Sequence, residues 1–171
     1  MILSVSSWPL SLQGKVEEAQ AFVRKAHELD PRFYLAYWFE GLSWNMKGEP
    51  AQAAKALETG LGYASSNRWL ESALGYSLAK AGQTAGARRV LADLERRSKT
   101  QYVSAYGMAQ IHLALGETDA ALELLERALR SHDSYQFYLT VDPYFLPLHG
   151  NPRYQALVAR VRAGGNGAAQ P

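Results

Sequence analysis

A glycine followed five residues later by an alanine recurs every 34 residues in this chain: Gly14 and Ala19, Gly48 and Ala53, Gly82 and Ala87, Gly116 and Ala121. The four copies stand in unbroken register, without gap or insertion. A fixed period of roughly 20–50 residues marks a stacked-repeat array, in which each unit buries its apolar face against the next. No other feature of the chain constrains its fold as strongly.

With the glycine at position 15 of each unit, the units run 1–33, 34–67, 68–101 and 102–135. Each divides into two helical patterns around the glycine. "YLAYWFEGLSWNMK" and "YVSAYGMAQIHLAL" precede one, and "AQAAKALETGL" and "DAALELLERAL" follow one, with apolar residues at three- and four-residue steps. A glycine just past a helix takes the positive φ that other residues resist, and replacing it costs about 1 kcal/mol. Pro50 and Thr118 suit the first turn of the helix that follows. Position 20 is always alanine, position 8 holds Gly41, Gly75 and Ala109, and position 27 holds Ala26, Gly60, Leu94 and Ala128. Small side chains facing one another let two helix backbones approach closely. Leucine at Ala53 or Ala87 is expected to overpack the pair by roughly 1–3 kcal/mol.

These residues resemble the tetratricopeptide repeat. Unit two supplies Tyr37, Gly41, Trp44, Ala53 and Leu57; unit three Leu74, Gly75 and Ala87; unit four Met108, Ala109, Ala121, Leu125 and Ala128; unit one Ala19, Ala26 and Pro31. Glu40 stands where that pattern usually has leucine, Glu71 where it has an aromatic, and the closing proline appears only in unit one. The resemblance implies an all-α, right-handed superhelical solenoid of antiparallel helix pairs forming one domain over 1–162.

Both ends depart from the repeat, as terminal units do. Unit one has a shortened first helix containing Pro9. At the other end Gly150 keeps the 34-residue register, and "NPRYQALVARV" follows it with Asn151 as cap and Pro152 at the first helical position. The preceding helix is broken by Pro143 and Pro147, so 136–162 reads as a degenerate capping unit. The segment "LTVDPYFLPLHGNPRYQALV" is similar to one that closes such arrays in bacterial multidomain regulators. Residues 163–171 are glycine-rich without large apolar side chains and read as a disordered tail.

The composition excludes several function classes. Lys and Arg number 18 against 16 Asp and Glu, a formal charge of +2, which gives no bulk attraction for nucleic acid. There is no cysteine, hence no disulfide, thiolate metal site or cysteine nucleophile. No apolar run reaches membrane-spanning length and the start lacks a signal-peptide pattern, so a cytoplasmic location is expected. Phosphate-binding loops, nucleophile elbows, zinc-protease motifs and dinucleotide fingerprints are all missing, so no catalytic residue, metal ligand or cofactor is assigned. His27, His112, His132 and His149 lack the spacing of a helical metal site, and His112 sits at an inward-facing position. Arg88, Arg89, Arg96, Arg97 and Lys99 make one helix basic, but Asp93 and Glu95 are interspersed, as on a solvated outer face.

In the tetratricopeptide family the first helices line a concave groove. Carried over, that implies Leu35, Trp38, Leu42, Asn45 and Met46 in unit two, Trp69, Ser72, Tyr76, Ala79 and Lys80 in unit three, and Val103, Tyr106, Gln110, Leu113 and Ala114 in unit four. Trp38, Leu42, Met46, Trp69, Tyr76, Tyr106 and Gln110 are the candidate partner-binding residues. A peptide or partner protein would dock on this aromatic, apolar stripe, in a scaffold or regulatory role with weak dependence on salt. The same stripe suits a core, and the C-terminal segment is a rival occupant of the groove. Other readings are self-association through the N-terminal end and service as the regulatory C-terminal part of a larger signalling protein.

Overall fold

The computed structural model describes residues 10, 15–64, 66–131, 133 and 136–167. The expected stub around Pro9, the unit-one glycine Gly14, and His132 lie outside them. Among the described residues the chain is all-helical and contains no strand. The elements are α1 (Val16–Leu29), α2 (Tyr34–Met46), α3 (Pro50–Tyr63), α4 (Arg68–Lys80), α5 (Thr84–Ser98), α6 (Ala105–Ala114) and α7 (Thr118–Arg130). Two 3-10 turns, Gln136–Thr140 and Pro143–Leu148, lead into α8 (Pro152–Gly167).

Units two to four are helix hairpins: α2 packs on α3, α4 on α5, and α6 on α7, while α1 packs on α2. The first helices also touch in series, α2 against α4 and α4 against α6, so they form one continuous inner layer. This is the serial stacking of a tetratricopeptide-like solenoid.

The turn glycines do what their spacing predicts. Gly48, Gly82 and Gly116 have φ of +80°, +76° and +84°. At each turn the next residue donates its backbone N–H back across the helix end: Glu49 to the Trp44 carbonyl at 2.9 Å, Gln83 to Leu78 at 2.8 Å, Glu117 to His112 at 2.9 Å. These bonds satisfy carbonyls that the helix itself leaves without a partner. Gly150, although in register, has no positive φ. It follows a 3-10 turn instead of an α-helix, so there is no α-helical end to reverse. Asn151 and Pro152 act as expected: the Asn151 side chain accepts the Arg153 N–H at 2.9 Å and Pro152 opens α8.

The small residues are where the helices press together. Ala53, Ala87 and Ala121 have no exposure. A Cβ added to Gly41 would fall 2.6 Å from Leu57 Cγ, and one on Gly60 would fall 2.7 Å from Tyr37 Cβ. The residue that presses on Gly41 is Leu57, one turn beyond Ala53 on α3.

The two acidic departures from the repeat pattern are polar ties between helices. Glu40 on α2 faces His27 Nε2 of α1 at 3.0 Å and accepts from Trp44 Nε1 at 3.3 Å. Glu71 on α4 accepts from Arg97 Nη2 of α5 at 2.5 Å, and Asp93 flanks the same guanidinium at 2.8 Å. Glu71 and Arg97 are only 17% and 14% exposed.

At the C-terminal end, Phe145, Leu148, Tyr154 and Leu157 join Leu122 and Leu125 of α7 in one buried cluster, which covers the last hairpin. The Tyr154 hydroxyl donates to the Leu139 carbonyl at 2.6 Å, tying α8 to the first 3-10 turn. Residues 163–167, read from the sequence as part of a disordered tail, continue α8. Residues 168–171 lie outside the described set.

Candidate functional site

The chain's own C-terminal segment lies against the layer formed by α2, α4 and α6. Tyr144, at the second 3-10 turn, stacks on Tyr76 of α4, and its hydroxyl accepts from Asn45 Nδ2 of α2 at 3.1 Å. These rings share a buried cluster with Val23, Phe39 and Leu42. Burial pushes the phenols of Tyr76 and Tyr144 well above their usual range, because an ionised oxygen there would lose its hydration.

Asp142 anchors the same segment. Tyr106 Oη donates to its Oδ2 at 2.5 Å and Gln110 Nε2 to the same oxygen at 2.8 Å. Its Oδ1 accepts the Tyr144 N–H at 2.9 Å, which caps the turn that Pro143 begins. Burial raises the Asp142 carboxyl pKa, while the Tyr106, Tyr144 and Gln110 bonds pull it down. The Tyr106 backbone N–H donates to Asp133 Oδ2 at 3.4 Å. Ser104 caps α6 by accepting the Gly107 N–H at 3.2 Å, and its hydroxyl donates at 2.9 Å to Asp133, which is also buried.

What stays open is a cleft of about 300 Å³ between the segment and the two tryptophans. Its walls include Leu35, Trp38, Phe39 and Leu42 of α2, Trp69, Ser72 and Ala73 of α4, Tyr106 and Gln110 of α6, and Tyr138, Asp142 and Tyr144 from the C-terminal segment. The Trp38 and Trp69 rings are 6.3 Å apart between centroids, and Trp69 is 48% exposed.

Of the seven candidate partner-binding residues, the structure gathers Trp38, Leu42, Trp69, Tyr106 and Gln110 around this cleft. Tyr76 and Met46 do not line it: Tyr76 lies beneath Tyr144, and Met46 is half-buried at the end of α2. Reasoning from the first helices alone missed Tyr138, Asp142 and Tyr144. The Asp142–Pro143 dipeptide was the available signal, since aspartate before proline marks a capped turn. The basic helix α5 is drawn into ion pairs: Arg88 with Glu117 at 2.7 Å, Arg96 with Asp93, and Arg97 with Glu71. His112 lies between Glu117 and Glu95, at 2.7 and 3.4 Å. Among the described residues no group of three or more acidic, His or Cys side chains could hold a metal ion, and no helix is long and apolar enough to cross a membrane.

Comparison with known proteins agrees with this architecture. Residues 80–136 match the tetratricopeptide repeat family model. A TPR repeat-containing protein of Methanocaldococcus jannaschii is 42% identical over 55 residues, which are 32% of this chain and 16% of that protein. The chain therefore corresponds to a small part of that relative's length. No solved structure matches. The tetratricopeptide repeat is thus supported by sequence over residues 80–136, and the hairpins before them repeat the same packing.

Proposed function

We propose that this chain is a non-catalytic interaction module that receives a peptide or a segment of a partner protein in the open part of its groove, at Trp38 and Trp69. Its own C-terminal segment closes the rest. Tetratricopeptide domains generally mediate protein–protein interaction. The observation that carries the reading is the cleft of about 300 Å³ with two tryptophans in its wall, one of them half exposed. Tryptophan at the centre of a contact commonly contributes about 2 kcal/mol or more. The module serves a scaffold or regulatory role in the cytoplasm.

The test is selection of binding peptides from a random library on the intact chain, followed by titration against a Trp38→Ala, Trp69→Ala variant. The expected result is a loss of about 30-fold or more in affinity, corresponding to about 2 kcal/mol. Raising the salt concentration should change affinity little. Peptides that bind wild type and variant equally place the site elsewhere.

A further inference from the structure

An apolar receptor for a peptide does not explain Asp142. The residue is only 4% exposed, yet it forms part of the wall of the open cleft. All three of its hydrogen bonds come from neutral donors: a phenol, a carboxamide and a backbone N–H. Among the described residues the cleft wall contains no lysine, arginine or histidine. Instead the carboxyl shares it with the rings of Trp38, Trp69, Tyr106, Tyr138 and Tyr144. Aromatic faces carry partial negative charge and attract cations, most strongly where water is excluded. A buried carboxylate without a counter-ion is costly, and a cation delivered to it recovers part of that cost. Anion and ring faces therefore favour the same class of occupant.

The hydrogen-bond count narrows that class. Oδ2 already accepts two bonds and Oδ1 accepts one, whereas a carboxylate has about four acceptor sites. One site remains, on Oδ1. A guanidinium fork needs room on both oxygens, but an ammonium needs only one acceptor.

We propose that the cleft takes the side chain of a lysine from the partner segment, its alkyl stem against Trp38 and Trp69 and its ammonium at Asp142 Oδ1. This rests on the reading of the cleft as the partner site.

The test uses the intact chain and small probes at constant ionic strength. n-Butylammonium, butylguanidinium and the neutral 1-butanol are titrated while the indole N–H signals of Trp38 and Trp69 are followed by NMR. n-Butylammonium should shift both signals at concentrations at least tenfold below 1-butanol and below butylguanidinium. Asp142→Asn should abolish the advantage over 1-butanol, with circular dichroism confirming the fold. If that variant does not fold, Trp69→Ala carries the test and should weaken n-butylammonium binding several-fold. Equal potency of n-butylammonium and 1-butanol overturns the lysine assignment and leaves the apolar receptor standing. Butylguanidinium matching n-butylammonium overturns the choice of lysine over arginine. If no probe shifts either indole, the lysine site is wrong, and the peptide selection above judges the receptor reading independently.

Discussion

The rings of Tyr76 and Tyr144 lie stacked, their centroids 3.9 Å apart and their planes 16° from parallel, although 68 positions separate them in the chain. This contact fixes the C-terminal segment against the inner helix layer. It converts part of a would-be binding surface into core.

Tyr144→Ala should therefore cost about 3–5 kcal/mol, the range for truncating a buried aromatic. Tyr144→Phe keeps the stack but leaves Asn45 Nδ2 without the hydroxyl it now meets at 3.1 Å, so it should cost only about 1 kcal/mol. Urea denaturation midpoints at constant slope provide the measurement, and equal losses for the two variants would contradict the stacking account.

Two classes of glycine should respond differently to alanine. Around Gly48, Gly82 and Gly116 an added Cβ meets nothing within 4 Å, so only the positive φ resists it, at about 1 kcal/mol each. Gly60→Ala meets Tyr37 Cβ at 2.7 Å and Leu70 Cδ2 at 2.5 Å. A Cβ cannot swing away as the end of a side chain can. Overpacking of roughly 1–3 kcal/mol should there outweigh the gain of about 1 kcal/mol in helix propensity. Thermal melts of the four single variants give the comparison.

Glu71→Ala should destabilise the α4–α5 hairpin by about 2 kcal/mol, since it leaves the mostly buried Arg97 with Asp93 alone. The double variant Glu71→Ala, Arg97→Met should recover part of that loss, because it leaves no charge behind. A double-mutant cycle by urea denaturation tests both statements.

Asp142 sets a pH dependence of a definite sign. Its folded-state pKa is raised above the ordinary 3.8, chiefly by burial, so the folded state favours the protonated form. The stabilisation it contributes is full below the unfolded value and is lost as pH rises through the folded one. The stability of wild type minus that of Asp142→Asn should thus be larger at pH 3.5 than at pH 7. Urea melts of both proteins across that interval check it, and the opposite slope would show that the three hydrogen bonds outweigh desolvation.

The repeat was legible in the sequence because its cause is local and recurrent. A left-handed residue must follow each first helix, which selects Gly48, Gly82 and Gly116, and closely packed backbones exclude bulk, which selects Gly41, Ala53 and Ala87. Both demands reappear every 34 residues and so leave a period. The candidate groove was only partly legible. The family resemblance implied that Trp38, Trp69, Tyr76 and Tyr106 share the inner stripe, but a stripe reads the same whether it faces solvent, a partner or another part of the chain. Tertiary structure decided that Tyr144 covers Tyr76 and that Asp142 reaches Tyr106 and Gln110. Those contacts join a broken, non-repeating segment to helices far away in the chain, and no period records where such a segment comes to rest.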